Sequence, residues 1–177
     1  THNEAKISVL YDVLNRFPLD GVIARARTND APLAQEHMSH LRAGDIVVLD
    51  RGYASYAIFA KILEKQVDFV IRCPRRRFGD GGGLFTDESC QSKQVELTPS
   101  EKLDKKTNLP RSIPVRFARV LLPTGEVEVL ITSLRDETLF SVPMLAELYQ
   151  KRWGVETFFL TLKSRLCLEH FTGKTVE

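Results

Sequence analysis

The densest group of chemically useful residues lies in YQKRWGVETFFLTLK: Tyr149, Arg152, Glu156 and Lys163, spaced Y-x2-R-x3-E-x6-K. At about 100° per residue, Tyr149, Glu156 and Lys163 fall within roughly 40° of one another on a helix, with Arg152 beside them. A phenol, two cations and a carboxylate would form one polar row. Such a row is costly on a partly buried surface unless its members are partnered or used. The plainer alternative is a set of surface ion pairs, Glu156 with Arg152 at i−4 and with Lys163 two turns on, worth roughly a few tenths of a kcal/mol each.

A second carboxylate raises the interest of the first. Asp50 closes the apolar run DIVVLD and is followed by Arg51-Gly52-Tyr53. An aspartate at the carboxyl end of a central strand faces the crevice where α/β sheets place ligands. The alternative is an N-cap for the next helix, for which Ser55 is better placed. Two carboxylates, one on a strand end and one on a helix, can hold Mg²⁺ or Mn²⁺, which take oxygen ligands and leave positions for phosphate oxygens. Two such ions would activate the attacking oxygen and stabilise the leaving one in phosphodiester transfer.

The elements that must position these groups follow from pattern. A long helix is expected from Ser141 as N-cap, with Pro143 in its first turn, to about Leu166. Leu148, Val155, Phe159, Leu162 and Leu166 would form its apolar face. Gly154 inside it costs about 1 kcal/mol relative to alanine. Lys6–Leu14 and Gly21–Arg27 read as strands, with a hairpin link over Asn15–Asp20. Thr28–Asp30 can cap a helix over Pro32–Leu41. Asp45–Asp50 has the continuous apolar character of a strand buried on both faces. A helix over Ser55–Gln66 and a strand over Asp68–Arg72 complete a β-α-β unit with parallel pairing.

After Cys73 the chain changes character: Arg75, Arg76 and Arg77 are consecutive, and Gly79 with Gly81–Gly83 reads as a flexible loop. Val115–Leu122 and Glu126–Thr132 alternate as strands around a Pro123-Thr124-Gly125 turn. The expected organisation is an α/β core over residues 1–72, a β-rich basic insertion over 73–140, and a core helix segment over 141–177.

Composition narrows the classes. The 177 residues, 43% hydrophobic, can bury one sizeable core. No apolar run is long enough to span a membrane, and no secretory leader is visible. The three cysteines are scattered and form no C-x-x-C pair, which argues against a disulfide framework or a zinc site and for a reducing, cytoplasmic setting. The four histidines form no metal motif, and His37 with His40 is expected to be a solvated pair. Net charge is +2, yet residues 72–119 hold 11 Lys+Arg against 6 Asp+Glu, a local +5, leaving 14 against 17 elsewhere, or −3. A basic segment on a slightly acidic body points to a polyanion contact, the alternative being a solvated basic loop.

On Tyr149, Arg152, Glu156 and Lys163, together with VVLDRGY, ITSLRDETLFS and LEHFTGKT, the chain resembles the catalytic domain of bacterial insertion-sequence DDE transposases. Within that group it resembles the Y-x2-R-x3-E-x6-K subgroup. The resemblance implies an RNase H-like mixed sheet flanked by helices, with a β-rich insertion before the C-terminal catalytic helix. It implies Asp50 and Glu156 as the second and third members of a metal-binding triad for Mg²⁺ or Mn²⁺ of the two-metal type. It implies DNA contacts from Tyr149, Arg152 and Lys163, to which the basic surface adds Arg51, Tyr53, Arg75, Arg76 and Arg77. The implied activity is cleavage of double-stranded DNA at transposon ends and joining to a target, by a homodimer when intact.

The triad's first aspartate should lie on a strand preceding those read here, and Asp12 is a poor candidate for it. The expectation is therefore a fragment whose first aspartate lies upstream of Thr1, with weak metal binding and negligible turnover alone. Two other readings stand beside this one: a non-catalytic DNA-binding relic, and an RNase H-like nuclease without strand transfer.

Overall fold

The computed structural model describes residues 5–101 and 109–166; His2, Cys167, His170 and the LEHFTGKT segment lie outside these. The chain divides into two units, residues 1–40 with 151–177, and residues 41–150. Among the described residues no helix is long and apolar enough to cross a membrane.

In the smaller unit, β1 (Ala5–Asp12) and β2 (Phe17–Arg25) pair antiparallel, Ala5 opposite Arg25 and Asp12 opposite Phe17. The turn comes earlier than the expected Asn15–Asp20 link. Asp12 closes it: its Oδ1 accepts from the backbone N–H of Leu14 at 3.0 Å and of Asn15 at 2.9 Å. This side-chain-to-backbone turn mimics a backbone turn and needs neither proline nor glycine. Pro18 instead sits inside β2 opposite Tyr11, at the register shift between Leu10 and Tyr11. There its missing N–H disturbs the ladder least.

The helix α1 (Asp30–His37) is pinned to this hairpin by a polar relay. His37 Nε2 lies 2.9 Å from Ser8 Oγ, and His37 Nδ1 lies 2.6 Å from Asp20 Oδ2. His37 is therefore buried and partnered, not solvated as the sequence suggested, whereas the His40 side chain is half exposed. The reason is register: Ser8 lies opposite Val22 and Asp20 opposite Leu10, so the two are diagonal neighbours on one face of the hairpin, within reach of one imidazole.

The larger unit holds the expected β-α-β unit. β3 (Ile46–Leu49) and β4 (Asp68–Arg72) pair in parallel, Ile46 beside Asp68 and Leu49 beside Ile71, with α2 (Tyr56–Glu64) between them in the chain. Ser55 caps α2, its Oγ accepting from the Ile58 N–H at 3.4 Å. Phe59 of α2 stacks on Phe69 of β4 at 4.8 Å between ring centres, which fixes α2 on one face of the sheet. The glycine run is a short helix, α3 (Gly79–Gly82), rather than a flexible loop. A Cβ on Gly81 would stand 2.4 Å from the Phe117 ring, so only glycine lets this backbone pack so closely.

β5 (Ser92–Leu97), β6 (Ile113–Leu121) and β7 (Val127–Thr132) continue the same sheet, in the order β3-β4-β7-β6-β5. β7 runs antiparallel to β4, with Ile71 opposite Ile131, so the sheet is mixed. The β-rich segment thus shares hydrogen bonds with the α/β part. β3 stands at the edge, with β4 as its neighbour among the described residues. Its residues are half exposed, where the apolar run predicted burial on both faces. An edge strand lacks the second neighbour that would finish that burial.

On the second face of the sheet lies α4 (Val142–Gln150). Its Leu145 and Tyr149 are buried in a cluster with Val70, Ala118, Val120, Leu130 and Leu134. Arg116 of β6, fully buried, ties the approach to this helix: its guanidinium donates to Ser92 Oγ and to the Phe140 carbonyl.

The expected single helix is in fact two. α4 ends at Gln150, and α5 (Trp153–Leu166) begins after a tight turn in which Gly154 N–H donates to the Lys151 carbonyl and Val155 N–H to that of Arg152. Each half obeys a different partner. Leu145 and Tyr149 are buried in the larger unit's core, while Phe158 of α5 meets Tyr11 of the hairpin at 5.2 Å between ring centres. Gly154, near Tyr11 and Val13, weakens helical continuity at the junction. The polar row therefore spans two helices and the turn between them.

Candidate active site and basic cleft

Strand alternation aims Asp50. Val48 packs against the cluster that contains Tyr149, and the side chain two residues on, Asp50, falls on the same face. Asp50 directly follows the last residue of β3 and opens a 3₁₀ turn over Arg51–Tyr53. Its carboxylate makes no capping bond to that turn. Instead it accepts from the Tyr149 hydroxyl at 3.2 Å. Tyr149 is only 4% exposed, so its phenol is held by the core and its oxygen reaches the sheet's edge. A buried tyrosine hydroxyl normally finds a partner, and here the partner is the strand-end aspartate.

Beside this strand end is a cleft of about 610 Å³ lined by Arg51, Arg72, Arg75, Arg76, Phe85 and Glu126, among others. Arg72 is engaged, its Nη2 2.9 Å from Glu128 Oε1. Arg51, Arg75 and Arg76 are exposed, and the Arg75 guanidinium lies over the Phe85 ring at 5.4 Å. Cys73 also lines the cleft, and burial pushes its thiol up to about 12, so it is inert at neutral pH. Arg77 has a different attachment: its Nη1 donates to the Ala54 carbonyl at 3.0 Å, strapping the start of α2. Tyr53 is half-buried in the 3₁₀ turn.

In the smaller unit, Glu156 and Arg152 form an ion pair at 2.7 Å across one helical turn. The Arg152 side chain is 16% exposed against 42% for Glu156, so the pair is more than a loose surface contact. Arg152 also lies over the Trp153 ring at 4.9 Å. Glu156 sits in the first turn of α5, where the helix dipole favours a carboxylate. Lys163 is exposed in the last turn. Asp12 is occupied in its turn, where the Asn15 backbone and side chain hold its carboxyl below the ordinary range.

Oxygen donors such as Asp50 and Glu156 fit Mg²⁺ or Mn²⁺, which need only one or two protein carboxylates when phosphates and waters complete the shell. Among the described residues no group of three or more His, Cys, Asp or Glu side chains is placed to hold a metal ion.

The structure thus joins Tyr149 to Asp50, and Arg152 to Glu156, and gathers Arg51, Arg75 and Arg76 around one cleft. The sequence reading missed Arg72 and Phe85 as cleft walls. Only the arginine density near Cys73 hinted at them. It also missed the Tyr149–Asp50 bond, for which the signal was Tyr149 falling one turn after Leu145 on a buried helix face.

Two comparisons bear on these residues. The family model described as "Transposase DDE domain" matches residues 2–177. A protein of Sinorhizobium fredii (strain NBRC 101917 / NGR234), named "Putative transposase y4zB", is 29% identical over 181 residues, covering 95% of this chain and 46% of that protein. The chain therefore spans a little under half the length of this relative.

Proposed function

This chain belongs to the transposase DDE-domain family, and from that premise we propose that it forms part of the catalytic core of a transposase that cuts double-stranded DNA at transposon ends. The freed 3′-OH would then be joined to a target strand. The observation that carries this reading is Asp50 at the carboxyl end of a parallel strand, with Arg51 beginning an arginine-lined cleft beside it. Carboxyl ends of strands are where α/β sheets bind ligands.

Asp50 and Glu156 are the chain's metal-ligating carboxylates in this reading. Bound Mg²⁺ or Mn²⁺, in a two-ion arrangement, would supply Lewis-acid activation of the attacking oxygen and charge relief at the leaving one. The chain's other residues bind and orient. Arg51, Arg75 and Arg76 hold backbone phosphates in the cleft, with Arg77 and Tyr53 at its margin. Arg152 and Lys163 hold phosphates near Glu156; the Arg152 fork suits bidentate contact. Such contacts set register and carry no sequence information. Pairing of two ends would require a second copy of the intact protein.

The test is Mn²⁺-dependent cleavage of a transposon-end duplex by the intact protein, with Glu156→Gln as control. Nicked and joined products should form with the wild type and vanish in the variant. Cleavage that survives Glu156→Gln would refute the ligand assignment. Nicks without joined products would point to a nuclease.

A further inference from the structure

We infer that Tyr149 is a positioning residue for Asp50: its hydroxyl fixes the orientation in which the carboxylate meets a divalent cation. This rests on the metal-ligand reading of Asp50 above. Three observations carry it. Tyr149 is 4% exposed and its ring is locked among Val70, Leu130 and Leu145, so its hydroxyl has a fixed position. That hydroxyl donates to Asp50 Oδ1 across 99 residues of chain. Asp50 makes no side-chain capping bond to the turn it opens, so that turn does not orient its carboxylate.

A carboxylate has about four lone-pair directions on two oxygens. The Tyr149 hydroxyl occupies one on Oδ1. It leaves Oδ2 and the remaining direction on Oδ1 for a cation, and it stops the group from rotating freely. At 3.2 Å the bond is long for O–H···O, so it steers the carboxylate more than it grips it. Outer partners that orient a metal ligand commonly matter by about 10- to 100-fold in affinity or activity. A ring buried to this degree offers little face for stacking on a base. The hydroxyl, not the ring face, is therefore the group that acts, and its donation goes to Asp50.

The experiment titrates Mn²⁺ into this chain and reads water-proton relaxation, which follows millimolar binding. Wild type, Tyr149→Phe and Asp50→Asn are compared. Each is also melted without metal and tested for duplex DNA binding in EDTA. Tyr149→Phe should weaken Mn²⁺ binding about 10- to 100-fold, with its melting midpoint close to wild type. Binding that depends on Asp50 but is unchanged in Tyr149→Phe would overturn the positioning role and leave the ligand reading standing. Binding indifferent to Asp50→Asn would overturn both. A Tyr149→Phe loss confined to DNA affinity would also overturn the inference, by making Tyr149 a DNA contact.

Discussion

The arginine cleft makes a quantitative prediction about salt. Arg51, Arg75 and Arg76 are exposed there, whereas Arg72 is paired with Glu128 at 2.9 Å and is discounted. Three cleft cations that each neutralise a phosphate should contribute about −2.7 to the slope of log K against log[salt], at about −0.9 per contact on duplex DNA. Replacing all three with glutamine should flatten the slope by that amount. Between 50 and 200 mM salt, wild-type affinity should fall about 40-fold more than the variant's, and a single Arg→Gln should account for about 3.5-fold. The assay is fluorescence anisotropy on a duplex of arbitrary sequence across that range, because phosphate contacts are sequence-independent. Arg77→Gln serves as an internal comparison, since its guanidinium is tied to the Ala54 carbonyl. A triple variant that keeps the wild-type slope would refute the cleft as a phosphate site, whatever its effect on affinity at one salt concentration.

Two further outcomes follow from buried and hydrogen-bonded charges. Arg116→Met removes a buried guanidinium that donates to Ser92 Oγ and the Phe140 carbonyl. The loss should be about 2–4 kcal/mol, a urea midpoint lower by about 1–2 M at a typical slope near 2 kcal/mol/M; a shift under about 0.3 M would contradict the buried network. The hydrogen bond from His37 holds the Asp20 carboxyl below its ordinary range, helped by the Gly21 N–H and by the charges of His37 and His40. A carboxylate depressed on folding stabilises the protein above its unfolded-state value, and that contribution is lost as pH falls through the folded value. The melting midpoint should therefore drop less between pH 7 and pH 3 in Asp20→Asn than in wild type, and an equal drop would contradict the relay.

Much of the architecture was readable where one physical signal dominates. β4 was expected at Asp68–Arg72 and lies there, because a short β-branched and aromatic run bounded by polar residues has few alternatives. Ser55 was readable as the α2 cap from its place before an apolar helical pattern. The break between α4 and α5 was not readable. Helical periodicity runs through it, and the two halves have different partners: Tyr149 is buried among Val70 and Leu130, whereas Phe158 meets the Tyr11 ring. The burial of His37 was hidden for the same reason, since Ser8 and Asp20 approach it from 29 and 17 residues away. Within the candidate site, Asp50 was legible from its strand, but its tyrosine partner depends on sheet and helix packing across 99 residues. Arg116 illustrates the general limit: a charge in an alternating strand reads as solvent-facing until the Phe140 carbonyl is seen beneath it.

Asp50 and Glu156 are proposed above as the metal-ligating carboxylates of this chain. Iron-directed cleavage reads this out: Fe²⁺ is supplied in place of Mg²⁺, and ascorbate with peroxide cuts the backbone beside whatever ligands hold it. Cuts are expected at Asp50 and at Glu156, each suppressed by excess Mn²⁺ and lost in the matching variant, Asp50→Asn or Glu156→Gln. Cuts that persist in both Asp50→Asn and Glu156→Gln, or that map to other carboxylates, would contradict it.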